Sequence, residues 1–119
     1  MLSDAYERAN KKVRAAEHDV RVVRRELGES LLALEQARER EEILKLARNP
    51  YGTTLTPRYA AVVANKVLTP EQIREGISRS EADQLLAEER IRLHSRQGVS
   101  AIDALKKARS DAERLKNKV

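Results

Sequence analysis

From Tyr6 to Ala37 one spacing governs the chain. Tyr6, Ala9, Val13, Ala16, Val20, Val23, Leu27, Ser30, Leu34 and Ala37 follow one another at alternating steps of three and four, and only Ser30 is not apolar. A seam kept up over this length predicts a long helix, from Ser3 to about Arg48, that packs as a coiled coil. Its first part is narrow and rich in alanine, which lets two backbones approach closely. Beyond Leu27 the apolar face widens: Leu31, Leu32, Ile43 and Leu46 lie off the seam and imply a second neighbour. Gly28 interrupts the pattern at a cost of about 1 kcal/mol relative to Ala, which the flanking residues outweigh.

Asn49-Pro50-Tyr51-Gly52 predicts a turn, and residues 49–56 a turn and loop. Three short helices are expected over 57–98. The first opens at Thr56-Pro57 and carries Tyr59, Val62, Val63 and Val67. The second opens at Thr69-Pro70, with Gln72 placed to close a capping box, and stops near Gly76. The third is capped by Ser80 and ends at Gly98. The last helix, 99–119, starts at Ser100 and has its own narrow seam: Ala101, Leu105, Ala108, Ala112, Leu115 and Val119. The two narrow seams match in length and in their alternation of small with branched residues. The fold class expected is therefore all-α: a long N-terminal coiled-coil helix, short middle helices, and a C-terminal helix packed back antiparallel. Residues 1–119 would form a single elongated helical domain.

The absence of Phe, Trp and Cys argues against a deep globular core and excludes disulfides, thiolate metal sites and thiol nucleophiles. Nothing near the start resembles a signal peptide, and no apolar run is long enough to span a bilayer. An intracellular setting, cytoplasmic or within a virion-type assembly, is expected. His18 and His94 lack partners at metal-ligand spacing, and each is expected to be solvated. The charged run Glu39 to Glu42 reads as helix-surface ion pairs. No phosphate-binding glycine loop and no catalytic constellation is present, so no enzyme activity, cofactor, metal site or small-molecule substrate is expected.

Two function classes remain. The first is a non-enzymatic structural or adaptor subunit that meets a protein partner, or further copies of itself, through coiled-coil contacts. Leu31, Leu32, Ile43, Leu46 and Tyr51 are its candidate contact surface. The second is a small nucleic-acid-binding protein. The net charge is +5, and residues 99–119 hold six basic against three acidic side chains. Lys106, Lys107, Arg109 and Arg114 are the candidate phosphate contacts. A helix-turn-helix-like pair over 70–93, turning at Gly76 with Leu85 buried, would be the other route to nucleic acid, although it would present Glu81, Asp83, Glu88 and Glu89.

Overall fold

A computed structural model describes residues 2–48 and 68–118. They form two α-helices, α1 (Leu2–Arg48) and α2 (Pro70–Lys118), and no strand occurs among them. The helices pack against each other within two compact units. One joins Met1–Glu29 to Arg90–Val119, and the other is Ser30–Glu89. The all-helical class and the antiparallel return of the C-terminal segment are as the two seams predict.

α1 begins at Leu2, two residues earlier than a cap at Ser3 would allow, and runs through Gly28. α2 opens on the expected capping box. The Gln72 amide N–H donates to Thr69 Oγ1 at 3.1 Å, and the Thr69 amide N–H donates to Gln72 Oε1 at 2.9 Å. Two of the donors that a helix start leaves without partners are thereby satisfied. Pro70 sits at the first helical position, where it lacks only an N–H that the helix does not use.

The division of 70–119 into separate helices is corrected. α2 is unbroken through Gly76, Ser80, Gly98 and Ser100, and no described glycine has a positive φ. The reason is tertiary. Gly76 lies under the Leu44 side chain and Gly98 under Val23. The missing side chain at Gly76 admits Leu44 rather than ending α2; at Gly98 a Cβ would meet Val23 Cγ1 at 3.6 Å, an ordinary contact. Ser80 is only 3% exposed, mid-helix, where it belongs to the buried stripe rather than a cap. With no turn at Gly76, the two-helix pair expected over 70–93 is not formed. The helix expected over 57–68 lies outside the described residues, apart from Leu68, which is not helical.

In the unit of Met1–Glu29 and Arg90–Val119, the buried side chains are Ala9, Leu105 and Ala112. Tyr6, Val13, Ala16, Val20, Val23, Leu27, Ala101, Ala108 and Leu115 are half-buried around them. These are the residues of the two narrow seams. In the unit of Ser30–Glu89, Ser30, Leu34 and Ala37 of α1 are buried, as are Ile73, Ile77, Ser80 and Ala87 of α2. Small residues take the tightest places: Ala37 is fully enclosed, and no large side chain falls below 2% exposure among the described residues. Each Leu or Ile contributes at most about 1.5–3 kcal/mol when fully buried, and Ala much less. These cores are thin.

Candidate functional site

Polar pairs flank the buried stripe of each unit. In the unit containing both chain ends, Arg109 reaches Glu17 at 3.6 Å. His94 Nδ1 lies 3.4 Å from Glu26 Oε2 and 3.0 Å from Gln97 Oε1. The His94 side chain is 15% exposed. It is therefore a half-buried bridge between helices rather than the solvated histidine that its sequence neighbours suggest, whereas His18 is exposed as expected. In the other unit Arg38 meets Glu88 at 3.8 Å and Arg40 meets Asp83 at 3.2 Å. Gln84 donates to the Glu41 carboxylate, which Lys45 also holds at 2.5 Å. The hydrogen bonds from Lys45 and then Gln84 keep the Glu41 carboxyl below its usual range. The pairs Arg109–Glu17, Arg38–Glu88 and Arg40–Asp83 are exposed on both sides and contribute little to stability, about 0–1 kcal/mol each.

The candidate contact residues of α1 do not share one face. Leu32, Ile43 and Leu46 fall on one side of the helix by their spacing, and Leu31 projects about 100° away. Leu31 and Leu32 are 50% and 53% exposed, and Ile43 and Leu46 are half-buried. Tyr51 lies outside the described residues.

Sequence reasoning missed most of the exposed apolar surface. Leu85, expected to be buried, is 67% exposed, and Leu86, Leu93, Val99 and Ile102 are also exposed. The signal was available: all five lie off the α2 seam once α2 is read as one helix. Val99 and Ile102 border a shallow apolar groove of about 280 Å³. Val20, Val23 and Leu27 form its α1 side, and Arg24 stands at its rim.

The candidate phosphate contacts Lys106, Lys107, Arg109 and Arg114 are all exposed. Arg109 and Arg114 are each held by a carboxylate, Glu17 and Asp111. Arg114 also lines an open groove of about 590 Å³ with Arg8, Lys12 and Lys118. Folding therefore adds α1 cations to the basic end of α2. The unit of Met1–Glu29 and Arg90–Val119 holds sixteen Lys and Arg against nine Asp and Glu, a balance of +7. The described residues of the other unit, 30–48 and 68–89, hold six against ten, a balance of −4.

Among the described residues, no group of His, Asp and Glu is arranged to hold a metal ion, and no helix is long and apolar enough to cross a membrane. No known protein family, curated protein or solved structure matches the chain.

Proposed function

We propose that the chain is a non-enzymatic helical subunit, structural or adaptor in kind, that works through protein–protein contacts in a larger assembly. The observation that carries this reading is the imbalance between core and surface. No large described side chain is fully buried, while seven large apolar side chains are between 43% and 67% exposed. Single exposed leucines are ordinary. Here they outnumber the well-buried ones, and covering them by a partner adds what the thin cores lack. Packing in the coiled-coil manner of an a/d seam suits residues such as Ala9, Leu34, Ala37, Leu105 and Ala112. Sedimentation velocity across a range of concentrations tests it: a mass above the monomer, persisting without nucleic acid, is expected. A monomer whose mass rises only when duplex DNA is added would sink the reading.

The +7 balance of one unit favours a second reading, a nucleic-acid-binding protein whose basic surface includes Lys106, Lys107, Arg109 and Arg114. It predicts DNA affinity that falls steeply with salt, and a shallower salt slope after Lys106→Ala and Lys107→Ala.

A further inference from the structure

Resting on the protein-contact reading, we infer that the apolar groove of the basic unit is a docking site for the acidic flank of the other unit in a second copy of this chain. Two observations meet here. The groove floor is Val20, Val23 and Leu27 of α1 with Val99 and Ile102 of α2. Its rim is cationic. Arg24 lines it directly; Arg21 lies one turn before Arg24, and Lys106 one turn beyond Ile102, on the same helix faces. All three cations are exposed, and none has an ion-pair partner among the described residues.

The second observation is a flank of matching chemistry in the unit Ser30–Glu89. The Arg38–Glu88 ion pair joins the helices along it. Leu85 sits one turn from Glu88, and Leu31 two turns from Arg38, so both exposed leucines belong to the flank this pair marks. Each carries an acid one turn away on its own helix: Glu81 before Leu85 and Glu35 after Leu31. Both acids are exposed and lack ion-pair partners among the described residues. An apolar floor with a basic rim thus matches two exposed leucines, one on either side of the Arg38–Glu88 pair, each with an acid one turn away; the basic unit carries +7, and the described residues of the other carry −4. Two grooves of one sign would repel; groove against flank attracts. The charges choose the register and speed encounter, while covering the leucines and valines supplies the affinity.

The test uses two full-length double variants followed by sedimentation velocity, with far-UV circular dichroism to verify helical content. One carries Arg24→Glu and Lys106→Glu in the groove rim; the other carries Glu35→Lys and Glu81→Lys on the flank. All four positions are exposed, so folding survives. The wild-type chain is expected to self-associate, more weakly at about 0.5 M than at about 0.05 M salt. Each variant alone should associate at least roughly tenfold more weakly, because like charges now oppose. An equimolar mixture of the two should recover wild-type affinity, because each altered surface finds its complement. Association of either variant at wild-type strength, or a mixture that fails to recover, overturns this site but leaves the protein-contact reading standing. A wild-type chain that stays monomeric overturns the site, and if duplex DNA then raises its mass the protein-contact reading falls with it.

Discussion

A Cβ built on Gly76 would stand 2.7 Å from Leu44 Cδ1, so α1 rests there against bare α2 backbone. The glycine sits mid-helix because Leu44 occupies the space a side chain would need. Gly28, by contrast, has nothing within 4 Å of its Cβ position. Gly28→Ala should therefore stabilise the fold by about 0.5–1 kcal/mol, the ordinary helix-propensity gain. Gly76→Ala should gain less or lose stability, because Leu44 must move. Thermal melts rank the two; equal gains would mean that the close approach at Gly76 is not real.

Ala37 is fully enclosed and Ala33, one turn earlier, is exposed. Ala37→Leu should cost about 1–3 kcal/mol by overpacking. Ala33→Leu should change stability by less than about 0.5 kcal/mol. Urea titrations measure both, and similar costs would place the buried stripe elsewhere.

Arg109 reaches Glu17, and the residues just before them, Ala108 and Ala16, are half-buried on the two seams. Ala16→Cys combined with Ala108→Cys should form a disulfide within one chain under mild oxidation, since antiparallel neighbours in register bring their Cβ atoms into range. Non-reducing electrophoresis distinguishes this from a linked dimer. A dimer band alone would mean that the seams pair between chains.

The Glu41 carboxyl is held low by Lys45 and Gln84. A carboxyl lowered on folding adds stability above its unfolded value, near 4.5, and loses that stability as pH falls through the lower folded value. Stability should therefore decline as pH drops below about 4.5, and Glu41→Gln should flatten part of that decline. Parallel pH profiles for wild type and variant would remove Glu41 from the account. Its partner Lys45 is exposed to solvent, so the difference is small.

Much of the fold was legible because both seams are periodic. Steps of three and four place Ala9, Leu34, Ala37, Leu105 and Ala112 on the buried stripes whatever the partner. Thr69, Pro70 and Gln72 act locally, through hydrogen bonds between neighbours, so their capping box was legible too. Gly76, Ser80 and Gly98 misled because each suits a helix end in isolation, the glycines as stops and Ser80 as a start. Whether a glycine ends a helix or accepts a neighbouring one depends on what lies across from it, and Leu44, across from Gly76, is far away in sequence.

Sequence by itself determined that the chain is helical, that α1 and the end of α2 carry matching seams, and that these seams are too poor in large residues to build a deep core. Charge looked different along the chain: a mild positive excess near the C-terminus and near neutrality elsewhere. Only the antiparallel packing decided that Met1–Glu29 joins Arg90–Val119 in a unit of +7, while the described part of Ser30–Glu89 comes to −4. It also decided that Leu31 and Leu85 emerge beside unpaired acids, and Val99 and Ile102 beside unpaired cations. The physical reason is that periodicity is a property of one helix, whereas a surface potential and a groove sum over residues that only packing brings together.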